Sequence, residues 1–155
     1  MHTMEDFRAR LVSAFPPRPF SMLISTHDEC GEGIVLKQEL HGKSWDQVSP
    51  QFVESNSASL PLLAPDALVA FLPAWLLRAQ ETIRRESLLT EFTMYFLCPG
   101  NADEGWNDKA LGETVRLFNK NQRSLIGEFL RSILESKALV LWHPYAEYGL
   151  KWWSA

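Results

Sequence analysis

The chain has 155 residues, 46% apolar and 22% charged, with a formal net charge of −4. That length suits one domain with a single core, and the composition suggests neither a disordered chain nor a membrane protein. The pI near 5.6 argues against nucleic acid as a partner, because a clustered basic face supplies most of that affinity. Residues 1–77 carry five basic and nine acidic side chains and residues 78–155 ten of each, a mild asymmetry without a basic run. The opening MHTMEDFRARL is acidic where a signal peptide would be basic, and no apolar h-region follows. The cytoplasm is the expected compartment. Cys30 and Cys98 sit in unlike contexts, so two reduced, mostly buried thiols are expected and no disulfide.

Taken in chain order, Thr3 and Asp6 have the spacing of a capping box, and Phe7, Leu11, Ala14 and Phe15 recur at helical spacing until Pro16-Pro17 stops them. An extended link over 17–25 leads to Thr26 and Glu29, again spaced as a capping box, and a second helix is expected to run to about His41 although Gly31 and Gly33 weaken it. Gly42 is a natural stop. Ser44 with Gln47, and Ser49 with Pro50, each mark a short turn of helix.

The stretch 60–77, LPLLAPDALVAFLPAWLL, carries a single charge, Asp66, and reads as the buried centre of the domain. Its length approaches that of a membrane span, but Asp66 and the internal prolines argue against one. Pro65 suits a helix start, and Ala67, Leu68, Phe71, Leu72, Trp75 and Leu76 follow at helical spacing. Pro73 lies inside this pattern and predicts a kink or a break near Leu72. Leu88, Leu89, Phe92, Tyr95 and Phe96 propose a further helix ended by Pro99-Gly100, and 100–108 reads as a loop. Asn119 with Gln122 caps the cleanest apolar stripe, formed by Leu125, Ile126, Phe129, Leu130, Ile133 and Leu134. Residues 138–142 read as a short extended piece or a helix end, after which His143-Pro144 opens an aromatic-rich helix to Trp153. With no convincing alternation of period two, the expectation is an all-α, single-domain bundle over 1–155, of about six or seven helices, its central helix kinked or broken at Pro73.

Gly42-Lys43-Ser44-Trp45, Leu62-Leu63-Ala64-Pro65, Phe71-Leu72-Pro73-Ala74 with Leu76-Leu77, Gln122 with Phe129-Leu130 and the terminal tryptophans carry a resemblance. On them the chain resembles an uncharacterised, mainly bacterial domain-of-unknown-function family marked by a G-K-x-W segment, an L-L-x-P helix start and an F-L-P-A core. Members of that family look to have an aromatic doublet before the Leu-Pro-Ala segment, where this chain has Ala70-Phe71. The resemblance implies a single-domain fold and carries no activity with it.

No catalytic, metal or nucleotide motif names a reaction. His27 and Cys30 stand three apart and His41 follows in the same segment, a beginning for a zinc site that lacks a four-ligand set. Asp28, Glu29, Glu32 and Glu39 make the second helix acidic, which reads first as a solvated face and a favourable first turn. A Cys–His pair there has no orienting third group, and Gly31 and Gly33 lack the strand and helix of a phosphate loop. A metal- or thiol-dependent enzyme built on the His27/Cys30 region is therefore the alternative reading. The leading candidates are the aromatic side chains Trp142, Tyr145, Tyr148, Trp152 and Trp153, which either cover one end of the core or form a docking surface, as aromatic rings do at binding hot spots. Trp45 and Trp106 are expected to lock loops onto the core. The reading reached is a non-catalytic protein-binding module of adaptor, inhibitor or immunity type. It needs no cofactor, and its partner is another protein or a second copy rather than nucleic acid or a membrane.

Overall fold

Side-chain caps set four of the helix starts. In a computed structural model describing residues 3–27, 31–85, 87–100 and 108–155, helix α1 (Met4–Ala14) begins at Thr3. The Thr3 hydroxyl accepts from the Asp6 N–H at 3.1 Å, and the Asp6 carboxylate accepts from the Thr3 N–H at 3.3 Å. The link after Phe15 is held by backbone hydrogen bonds, Gly42 N–H to Phe20 O at 2.6 Å and Ala64 N–H to Ile24 O at 2.8 Å. Helix α2 (Gly31–Leu40) stops where expected, with Gly42 at φ +77°, a left-handed conformation that glycine adopts without steric cost. Its expected capping partner Glu29 lies outside the described residues.

A 3-10 turn over Trp45–Gln47 follows, in which the Trp45 indole is buried and donates to Phe15 O at 2.7 Å. Helix α3 (Pro50–Ser55) is capped by Ser49 and has proline at its first position. The apolar run 60–77 divides: Leu60–Leu62 form a 3-10 turn, Leu63 makes an isolated bridge with Ser25, and helix α4 (Pro65–Glu81) carries the remainder. α4 is one helix through Pro73, not two. The missing hydrogen bond costs on the order of 3 kcal/mol, and the burial of Phe71, Leu72, Trp75 and Leu76 on either side of it outweighs that cost at about 1.5–3 kcal/mol per side chain. No helix of the described residues is long and apolar enough to cross a membrane.

Ser87 caps helix α5 (Leu88–Leu97). Helix α6 (Asp108–Val115) was not expected from the sequence; Gly112, Thr114 and Val115 in it are poor helix formers. It exists because Leu111 and Val115 reach the core and the Trp152 ring lies over Gly112. Helix α7 (Lys120–Glu135) shows the reciprocal Asn119–Gln122 cap, both bonds at 2.9 Å. A 3-10 stretch, Lys137–Trp142, then turns the chain through a non-helical Leu139 into helix α8 (His143–Trp153).

The described residues thus form an all-α fold of eight α-helices, one more than the upper expectation. α7 and α8 make the most extensive pairing. All eight helices contribute to one contiguous hydrophobic core, with Phe71 and Trp75 of α4, Phe129 of α7 and Trp153 of α8 among its fully buried side chains.

Candidate functional site

The five aromatic residues of the C-terminal region have three different fates, set by their positions around α8. Trp153 faces inward, is 1% exposed, and donates its indole N–H to Leu97 O at 2.9 Å, so it closes the core against the end of α5. Trp152 is half-buried on Gly112. Tyr148 donates its hydroxyl to the Asp108 carboxylate, a bond that raises the phenol above its ordinary pKa. Trp152 and Tyr148 together hold α6 in place. Trp142 and Tyr145 lie elsewhere, at the corner between the Lys137–Trp142 stretch and α8, and both are half-buried.

At that corner the Tyr95 ring of α5 stands edge-on to Trp142, centroids 5.0 Å apart at 87°, and Trp142 lies 5.2 Å from Tyr145. Such geometries place the positive ring edge against a neighbouring π-face. The three rings form one wall of an open groove of about 330 Å³, which Leu139 and Leu141 also line. Its polar edge comes from Ser87, Thr90 and Glu91, and the two hydroxyls are 3.0 Å apart. Around it Leu141 is 77% exposed, Leu88 66%, Val140 57%, Tyr95 54% and Phe92 38%. Leu88, Phe92 and Tyr95 recur at i, i+4 and i+7 and so share a face of α5. The opposite face buries Leu89, Thr93, Met94 and Leu97.

No family model, curated protein or solved structure matches this chain. The residues that carry the sequence resemblance described above nevertheless have one thing in common, which is structural duty. Gly42 makes the left-handed turn, Trp45 bonds to Phe15, Pro65 starts α4, and Phe71, Leu72, Leu76, Phe129 and Leu130 are core. Gln122 caps α7 and also donates to Ala14 O at 3.3 Å, tying α7 to α1.

The second sequence candidate is divided by the fold. His27 is exposed and precedes α2, whereas His41 is exposed and follows it, with ten residues of helix between them. That helix is about 15 Å long, too far for one ion to be shared. Cys30, Asp28 and Glu29 lie outside the described residues, as does Trp106. Among the described residues no three His, Cys, Asp or Glu side chains are grouped to hold a metal. Glu39 pairs with Lys43 at 3.0 Å, Glu32 is exposed in the first turn of α2, and His143 Nε2 lies 3.0 Å from Ser136 O at the entry to α8. Cys98 is buried beneath α8, and burial pushes its thiol up to about 12, so it is a protonated, unreactive side chain near neutrality.

Sequence reasoning placed Trp142 and Tyr145 among the candidates but used Leu88, Phe92 and Tyr95 only to propose a helix and did not single out Leu141. The available signal was that α5 is apolar on both faces, and a helix of a single-core domain needs only one apolar face to fold.

Proposed function

We propose that this protein is a protein-binding module without catalytic activity, and that its partner docks in the groove between α5 and the corner entering α8. The reading rests on one observation: a second apolar face of α5, joined to Tyr95, Trp142, Tyr145 and Leu141, left uncovered by the described residues. Contiguous exposed apolar surface beside aromatic rings is the composition of a binding hot spot. The occupant presents an apolar side chain to the three rings and a basic group to Glu91. A cytoplasmic setting fits the reduced, buried thiol of Cys98. Kinship with the family marked by G-K-x-W, L-L-x-P and F-L-P-A segments belongs to the same proposal, since those residues are the ones that build this fold.

Leu141→Asp tests the reading, because Leu141 is the most exposed apolar side chain of the patch and supports little of the core. Its melting temperature is expected to change by no more than about 2 °C. In native mass spectra of protein isolated gently from its source, wild type is expected to carry a second chain and Leu141→Asp to have lost it. A second copy of this chain in that role identifies self-association as the mode of binding. A wild-type protein isolated as a lone chain, a partner retained by Leu141→Asp, or a chelator-sensitive bound metal overturns the proposal.

A further inference from the structure

The rings of the groove at the entry to α8 define its occupant more narrowly than apolar surface alone does. Tyr95 and Trp142 meet at 87° with centroids 5.0 Å apart, and Trp142 and Tyr145 at 54° with centroids 5.2 Å apart, so the three form an angled wall rather than a parallel stack. All three line the same space. The face of an aromatic ring is the negative side of its quadrupole, and several rings set at angles around one space attract a cation.

Glu91 adds a full negative charge at the same edge. It stands one helical turn before Tyr95 on α5, where residues i and i+4 are neighbours. Its carboxylate enters no ion pair or hydrogen bond among the described residues, and none of the described residues lining the groove is basic. The other polar groups there are engaged with each other: Ser87 Oγ accepts from the Thr90 N–H at 3.1 Å and lies 3.0 Å from Thr90 Oγ1, and Thr90 is 1% exposed. A lysine ammonium brings three N–H donors and a guanidinium five, and a single carboxylate receives them poorly. A quaternary ammonium brings none. It needs a negative field and apolar contact for its methyl groups, and this groove supplies both. Leu88, Val140 and Leu141 continue the exposed apolar surface around the rings, contact that a chain carrying the cation uses and a small free ammonium does not.

We infer that the groove receives a trimethylated lysine of the partner protein, its methyl groups against Tyr95, Trp142 and Tyr145 and its charge facing Glu91. The inference rests on the docking reading above and names the group that one partner side chain presents. Isothermal titration of the full chain with the peptide Ala-Leu-Lys-Leu-Ala, its lysine trimethylated, tests it. The comparators are the unmethylated peptide, the peptide in which carbon replaces the ammonium nitrogen, and choline. The trimethylated peptide is expected to saturate below about 1 mM and to bind about tenfold more tightly than each comparator. Tyr95→Leu keeps an apolar side chain at an exposed position, and is expected to retain the wild-type melting curve while weakening the peptide about fivefold. Glu91→Gln is expected to weaken it about threefold. Absence of saturable binding up to about 10 mM, or affinity unchanged in both variants, overturns the inference. Equal affinity for the carbon analogue overturns the need for a cation, equal affinity for the unmethylated peptide the need for methyl groups, and equal affinity for choline the protein source. Any of these results beside a partner captured by wild type and lost by Leu141→Asp sinks this inference alone, whereas a lone wild-type chain in the native mass spectra sinks the docking reading and this inference with it.

Discussion

Cys98 shows how a residue's surroundings, rather than its type, decide its chemistry. Its thiol is sealed beneath α8, and burial pushes it from an ordinary value of 9.0 up to about 12. A thiol so shifted is held protonated in the native state while the unfolded chain begins to lose its proton near pH 9. The burial therefore contributes its full stability below pH 9, and that contribution drains away as the pH rises towards 12. Comparing denaturant unfolding of wild type and Cys98→Ala between pH 8 and pH 11 isolates this effect from the tyrosines and lysines. Wild type is expected to lose more stability than the variant over that range, and parallel curves would show that the thiol is not desolvated. Burial of this cysteine was legible in the sequence from its apolar neighbours Phe96 and Leu97. The residue above it was not, because chain distance gives no indication that α8 crosses there.

That residue is Gly149, and it carries the contact between two helices. A Cβ built at Gly149 would lie 2.2 Å from the Cys98 sulfur and 3.5 Å from Leu130 Cδ1, so α8 approaches the end of α5 as closely as it does only because the side chain is absent. Gly149→Ala is expected to cost about 2–3 kcal/mol through overpacking of the buried contact. Thermal unfolding should register it as a fall in Tm of about 4–10 °C. Combining it with Cys98→Ala should recover most of the loss, since the two side chains compete for one volume; losses that simply add would place the strain elsewhere. The helix starts, by contrast, were readable locally. Thr3, Ser49 and Asn119 each accept from a backbone N–H three residues on, within the reach of their own side chains. Pro73 does not break α4 for the complementary reason: its cost is local, and the packing that overrides it comes from other parts of the chain.

At the scale of the whole molecule, one core joins all eight helices, and ion pairs tie its outer layer only weakly. Arg10 with Glu128 connects α1 to α7, and Arg78 with Glu54 connects α4 to α3, all with partly exposed side chains. Such pairs contribute about 0–1 kcal/mol each, so the stability of this fold resides in the apolar cluster. A single cluster predicts a single cooperative transition. Tryptophan fluorescence, weighted by the buried Trp45, Trp75 and Trp153, and far-ultraviolet circular dichroism are expected to give superimposable denaturation curves. Two separated transitions would show that part of the chain folds as its own unit. The apolar groove from which binding was argued opens on the surface of this single core, with the core residue Leu139 in its lining.

The sequence by itself determined the fold class, most helix starts and the residues of the α7 stripe, because caps and the 3.6-residue period act within a few residues of each other. It also placed an aromatic cluster near the C-terminus. Only the tertiary structure decided that Trp153 is core, that Trp152 and Tyr148 secure α6, and that Trp142 and Tyr145 meet Tyr95 at the surface. The physical reason is that periodicity reveals an apolar face but not which neighbour covers it. α5 has two such faces, and the packing of α3, α4, α8 and the Leu60–Leu62 turn against one of them leaves the other open among the described residues.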